Sequence, residues 1–378
     1  MRFAFTEEQE ELRSQARAFL AEHSSSEHVR KAMATVEGYD PALWQRIGAE
    51  LGWTSVIVPE EYGGIGLTHV ELVALLEEMG AVLLCAPFFS TVCLGANALL
   101  VAGSEAQKQE HLPAIAEGSR TATLAYLEKK GCFDASGIEA TFRRDGSDYV
   151  LAGAKSYVLD GHTAELLIVA ARAAGSSGDA GVSLFAVPAG TPGLARTPYT
   201  TMDQTRKQAE IRLDGVRVPA EALLGEEGAG APALVRTLDL AAVALSAEQV
   251  GGAQRSLDMA VQYAKERIQF GKPIGTFQAI KHKCADMMVL VESARSASYY
   301  AGWAASVQDA ELPVLASLAK AYASDAYFHC AADNLQIHGG VGFTWEYDVQ
   351  LHFKRAKSSE VLLGDPAYHR EKVARHIL

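Results

Sequence analysis

ERIQFGKPIGTFQAIKH, residues 266–282, closes a long segment whose apolar residues recur at helical spacing. Gly271 accepts a positive φ and Pro273 cannot continue the hydrogen-bond ladder, so the helix is expected to stop there and leave Arg267 at its end. A guanidinium so placed suits a phosphate, because its forked donors pair two oxygens at once; a solvated cap is the plainer role. The second stretch, QIHGGVGF at residues 336–343, also ends a helical pattern. Gly339 and Gly340 carry no β-carbon, so a ligand can approach the backbone closely and meet unpaired N–H groups, although such a pair more often only makes a turn.

Working outward, the helix that ends near residue 268 begins near Ala231, which is about 57 Å at 1.5 Å per residue if Gly251 and Gly252 do not interrupt it. Helical patterns over Phe277–Val307, Pro313–His338 and Asp348–Leu363 supply its neighbours, an up-and-down four-helix bundle in residues 229–378. Residues 119–228 change texture. RTATLAYLE, IEATFRRDGSDYVLAGAKSYVLDG, ELLIVAAR, GVSLFAVPA and AEIRLDGVRVP are short β-type runs between Gly, Asp and Ser turn signals, and Ala173–Gly181 reads as a hairpin tip. This middle stretch is expected to be mostly antiparallel β. Residues 1–118 carry helical patterns over Thr6–Ala21, Pro41–Leu51, Thr68–Ala81, Phe89–Val101 and Gln107–Glu117. The expected class is α+β: a helical domain, a β domain and a helical bundle.

With 378 residues and 49% hydrophobic content the chain is an ordinary globular sequence too long for one small core. Its net charge of −12, without any Lys/Arg run, argues against nucleic acid or anionic membrane as a partner. The five cysteines, Cys85, Cys93, Cys132, Cys284 and Cys330, show no metal-ligand spacing, so buried free thiols in a reducing compartment and no metal site are expected. The amphipathic, acidic N-terminal stretch is unlike a secretion signal or transit peptide, and no window of eighteen apolar residues occurs, so the expectation is a cytoplasmic protein.

Taken together, RxxFGxPI followed by FQ and then QxxGGxGF strongly resembles the acyl-CoA dehydrogenase family, which oxidises acyl thioesters with FAD. The resemblance spans nearly the whole chain, through Trp44–Trp53, Val58–Leu67, Gly215–Gly230, Glu346–Lys357 and the closing LLGDPAYHRE. It implies FAD as cofactor, acyl-CoA as substrate and an electron-transfer acceptor. It further implies flavin contacts from Arg267, Phe270, Gln278, Gln336, Ile337, Gly339 and Gly340, reaching the nucleotide half from a neighbouring subunit, and from Tyr157 at the ring.

The same resemblance exposes losses. Dehydrogenation between the α and β carbons of a thioester needs a carboxylate to take the α proton and a flavin to take the β hydrogen as hydride. At the two positions where the family carries its glutamate base this chain has Ala241 and Leu363. The family's T-E-P-x-x-G-S-D signature aligns to LEKKGCFD, so Leu127 and Phe133 replace the hydroxyl residues and only Glu128 and Asp134 remain; W-x-T becomes Tyr157 and Leu159. The chain thus keeps the elements that act in trans and loses the base and ring-side hydroxyls, as a non-catalytic partner of a homologous catalytic subunit, in a heterotetramer, would. Two other readings stand: a homo-oligomeric dehydrogenase with a relocated base, for which Glu248, seven residues after Ala241, is the weak candidate, and a flavin monooxygenase or oxidase on the same fold, which needs no such base. Against Glu248 stands its plainer role as a buried carboxylate paired to a basic neighbour, and His282, His338 and His369 read as ordinary polar contacts.

Overall fold

The computed structural model describes residues 5–378; the first four residues of the acidic N-terminal stretch lie outside them. Helix α1, Glu7–His23, starts at a reciprocal cap: the Gln9 N–H donates to Thr6 Oγ1 at 3.3 Å and the Thr6 N–H to Gln9 Oε1 at 2.9 Å. A short helix α2, Ser26–Met33, follows that the periodicity does not announce, because its eight residues hold too few apolar positions to make a face. Next come α3 (Pro41–Gln45), α4 (His69–Ala81), α5 (Asn97–Ala102) and α6 (Glu105–Ala116). The expected helices over 41–51 and 89–101 are present but widen, into π-helical segments at Arg46–Glu50 and Phe89–Ala96.

Eight strands follow: β1 (Ala122–Ala125), β2 (Thr141–Asp145), β3 (Asp148–Leu159), β4 (Leu166–Ala173), β5 (Val182–Pro188), β6 (Leu194–Pro198), β7 (Gln208–Val218) and β8 (Leu223–Leu224). They form one sheet in the order β6-β7-β3-β2-β4-β5-β8, with β1 beside β4. Most pairs are antiparallel; β1 and β2 run parallel to β4 and share one of its edges, β1 along Leu166–Val169 and β2 at Arg172–Ala173. Ala173–Gly181 does link the antiparallel pair β4 and β5. Strands β6 and β8 were not expected: LARTP is largely exposed and LL is only two residues, so neither shows a pattern of alternation. Phe142, Tyr149 and Phe185 meet in the sheet's core with ring centroids 5.1–5.7 Å apart.

Helix α7, Ala231–Glu266, passes through Gly251 and Gly252 unbroken. It stops at Glu266, before Gly271, because Ile268–Gln269 (β9) and Lys272–Pro273 (β10) already pair as a small hairpin, turning through Phe270 and Gly271 at φ +53° and +74°. The bundle continues with α8 (Gln278–Ser306), α9 (Leu312–His338), a 3₁₀ turn at Gly339–Phe343 and α10 (Val349–Val361). A fifth helix, α11 (Pro366–Ile377), capped by Asp365, extends the expected four and packs on α9.

By packing, the chain forms two compact units rather than three consecutive stretches. One comprises the described residues up to Lys31, His69–Leu84 and Ala242–Leu378; the other comprises Ala32–Thr68 and Cys85–Ala241, including the sheet. In the first unit α4 and α7 cross closely through glycine. A β-carbon on Gly80 would lie 2.0 Å from the Glu248 carbonyl oxygen, and one on Gly251 would lie 1.8 Å from that of Glu77. The cysteines do not all follow expectation: Cys85, Cys93 and Cys330 are buried and Cys284 half-buried, but Cys132, in the loop between β1 and β2, is exposed. Among the described residues no helix is long and apolar enough to cross a membrane.

Candidate active site

In the first unit, the two glycine-bearing stretches present polar groups to solvent. Arg267 follows α7, its N–H held by the Tyr263 carbonyl at 2.8 Å and its own carbonyl by the Ile274 N–H at 2.8 Å. Its guanidinium is exposed and, like the exposed amides of Gln278 and Gln336, makes no hydrogen bond or ion pair among the described residues. Phe270, at the hairpin tip, is 90% exposed. Ile337 is buried beneath the second turn, and Gly339 adopts φ +62° and ψ −142°, a region essentially closed to residues with a β-carbon. A β-carbon on Gly339 or Gly340 would meet nothing within 4 Å, so open space lies beside this backbone. Uncommitted donors beside an open glycine turn fit the phosphates of a nucleotide.

The two positions at which the sequence resemblance expects the base are apolar and buried, Ala241 on α7 and Leu363 after α10. Leu363 lies at φ +63°, in a turn whose carbonyls are drawn inward: His369 Nε2 donates to the Leu363 carbonyl at 3.1 Å, and Lys320 Nζ to those of Glu360 and Gly364, each at 3.1 Å. Burial, with Lys320 nearby, pushes the His369 pKa down to about 3, so the imidazole is neutral. Glu248 is buried, and its Oε1 accepts from Arg355 Nη1 at 2.6 Å. A carboxylate held by a guanidinium has a lone pair committed and is poorly placed to take a substrate proton. His338 is buried and bonds the Asn334 carbonyl through Nδ1 at 2.9 Å, whereas His282 is exposed.

In the second unit, two of the positions expected at the ring carry no hydroxyl: Leu127 is half-buried and Leu159 buried. Tyr157 sits where the pairing of β3 with β7 shifts register, at φ +57°, and this bulge turns its ring outward against Tyr199, 5.4 Å between centroids. Glu128 survives for a structural reason. It accepts the N–H groups of Glu139 and Ala140, each at 2.9 Å, and Lys155 Nζ at 2.6 Å, so it clasps both ends of the loop that begins at Leu127. Lys155 also donates to the Tyr126 carbonyl at 3.3 Å; complete burial brings its pKa down to about 8, against the pull of Glu128. The donor set therefore fits a flavin nucleotide on the α7 and α9 side, whereas Leu127 and Leu159 offer the ring no donor.

Three family models cover almost the whole chain: the acyl-CoA dehydrogenase N-terminal domain over residues 6–119, the middle domain over 123–216 and the C-terminal domain over 228–378. The chain belongs to the acyl-CoA dehydrogenase family. It is 34% identical to acyl-CoA dehydrogenase IpdE2 of Mycolicibacterium smegmatis over 371 residues, 98% of each chain. Among solved structures it resembles butyryl-CoA dehydrogenase from Megasphaera elsdenii, with a TM-score of 0.91 and 30% identity over all of both chains. It also resembles a chain of the ChsE4-ChsE5 complex from Mycobacterium tuberculosis, with a TM-score of 0.90 and 28% identity over 100% of this chain and 99% of that one. Acyl-CoA dehydrogenases are FAD-dependent oxidoreductases, and the chain has the family's helical, β-sheet and helical parts.

For an acyl-CoA dehydrogenase, three site features escape a reading of the sequence. Lys155 looks like any strand lysine, and only its position two residues before the Tyr157 bulge hints that it points inward. Arg355, the partner of Glu248, lies 107 residues further on, and the stacking of His338 on Tyr263 joins two different helices. No local pattern announces contacts of that range.

Proposed function

We propose that the chain is the base-less subunit of a mixed-subunit acyl-CoA dehydrogenase. It contributes Arg267, Gln278, Gln336 and the Gly339–Gly340 turn to the nucleotide half of FAD, and a homologous partner supplies the glutamate and the ring-side hydroxyls. The observation that carries this is the character of the base positions: Ala241 and Leu363 are buried and apolar, and Glu248 is held by Arg355 at 2.6 Å. The similarity to a chain of the ChsE4-ChsE5 complex, an assembly of two differently named components, adds support. FAD, when bound, would supply the hydride acceptor for the β hydrogen; Arg267, Gln278, Gln336 and the Gly339–Gly340 turn would hold and orient it, and the α proton would go to the partner's carboxylate. An electron-transfer acceptor then reoxidises the assembly, in the cytoplasm.

The test is turnover by the chain purified alone, with short, branched and steroid-like acyl-CoA thioesters and an artificial electron acceptor. Little or no oxidation is expected. Robust turnover by the homomer overturns the proposal, and its loss in Glu248→Gln at unchanged folding then assigns the base to Glu248.

A further inference from the structure

The two nucleotide-side segments leave from different helices, yet one contact inside the first unit joins their roots. Tyr263 lies one helical turn before Arg267 on α7, and its carbonyl holds the Arg267 N–H at 2.8 Å. His338 is the last residue of α9, immediately before Gly339. The two rings stack with centroids 4.0 Å apart and planes 24° apart. The environment fixes the imidazole from three further directions. Nδ1 donates to the Asn334 carbonyl at 2.9 Å, the Tyr347 ring meets His338 edge-on at 5.8 Å, and Gly342 closes from above, where a β-carbon would come within 3.0 Å of the His338 β-carbon. Burial lowers the His338 pKa, so the ring packs as a neutral aromatic whose Nδ1 carries the proton.

We propose that His338 is a positioning residue: stacked on Tyr263, it sets the spacing between the Arg267 guanidinium and the Gly339–Gly340 turn, and so makes two separate segments act as one grip on the FAD pyrophosphate. This rests on the reading of Arg267 and the glycine turn as FAD contacts. The tips do not anchor themselves, since Arg267 is exposed after α7 and Gly339 has no side chain; Ile274 and Ile337 share an apolar cluster with Tyr263 below them, and the ring stack adds the contact next to both tips. A donor displaced by about 1 Å loses much of its value, so a support that touches no ligand still governs affinity.

The experiment measures FAD release on dilution, by flavin fluorescence, from the flavin-loaded assembly containing the full chain, with thermal unfolding followed in parallel. His338→Leu, which removes the ring, is expected to speed release roughly tenfold; His338→Phe, which keeps a ring but not the bond to Asn334, stays within about twofold. Tyr263→Leu removes the stack from the other side and is expected to match His338→Leu, which covers the case where either variant fails to fold. Adding Arg267→Ala to His338→Leu is expected to cost much less than in the wild-type background, because a misplaced guanidinium has little left to lose. Release at the wild-type rate from His338→Leu or Tyr263→Leu overturns the inference, as do additive effects with Arg267→Ala or a His338→Phe as fast as His338→Leu. If Arg267→Ala alone leaves release unchanged, or no assembly holds FAD, the nucleotide-side reading itself is overturned and the inference with it.

Discussion

Arg267 is an exposed guanidinium without a partner among the described residues, and the Gly339–Gly340 turn has open space beside its backbone. Losing one charge-assisted contact to phosphate costs about 1.5–3 kcal/mol, so Arg267→Ala is expected to weaken FAD binding about tenfold or more in a fluorescence titration. Unchanged affinity would remove Arg267 from the site. Glu248 behaves differently. Its change breaks the buried 2.6 Å ion pair with Arg355, so Glu248→Gln is expected to destabilise the fold by about 3 kcal/mol in chemical denaturation. A loss below about 0.5 kcal/mol would mean that the ion pair is not formed in solution. Residue types and spacing single out Arg267, Gln336, Gly339 and Gly340 in the sequence as the expected phosphate grip, because such a grip needs forked donors and bare backbone. The partner that holds Glu248 is not legible, because only folding brings residue 355 to residue 248.

At the scale of elements, periodicity announces the long helices well. Helix α7 passes unbroken through Gly251 and Gly252, the two positions on which the sequence made its length depend. The reason is packing: Gly251 lets the Glu77 carbonyl of α4 approach, and Gly252 lies against the Tyr327 ring. The cost of helix-interior glycine is offset by the closeness of the crossing. Gly80→Ala or Gly251→Ala must push two backbones apart, and each is expected to destabilise by about 3 kcal/mol or more. Substitution without loss, measured by urea unfolding, would mean that α4 and α7 do not cross this closely. The same crossing is held from α1, where Arg13 and Arg17 reach the buried Glu77 and Glu78 of α4, and from α8, where Arg295 Nε meets Glu77 at 3.0 Å. Short elements such as α2 and β8 leave no trace in the periodicity, since eight and two residues are too few to define a face or an alternation.

For the molecule as a whole, buried histidine contributes to the loss of stability in acid. His369 ionises near 6.5 when unfolded but only at about 3 in the fold, and His338 is shifted in the same direction by desolvation. The unfolded chain therefore binds more protons below pH 6.5, and stability, complete above that pH, falls as acid is added. Each such histidine contributes about 1.4 kcal/mol per pH unit inside its window. His369→Gln, which keeps a donor for the Leu363 carbonyl, is expected to reduce the slope of stability between pH 6 and 4 by that amount; an unchanged slope would mean that His369 is protonated in the fold. Three-part architecture and family membership are carried by motifs spread over the whole chain, and they are legible for that reason. Whether each chain completes a flavin site is a property of the assembly, and the positions expected at the ring, Leu127 and Leu159, bear on it most. The direct measurement is the flavin-to-protein ratio of the chain purified alone and after co-expression with a homologous acyl-CoA dehydrogenase chain that carries the glutamate. One FAD for every two chains in a mixed assembly, with little FAD on the chain alone, is the predicted result; a homomer holding one FAD per chain would contradict it.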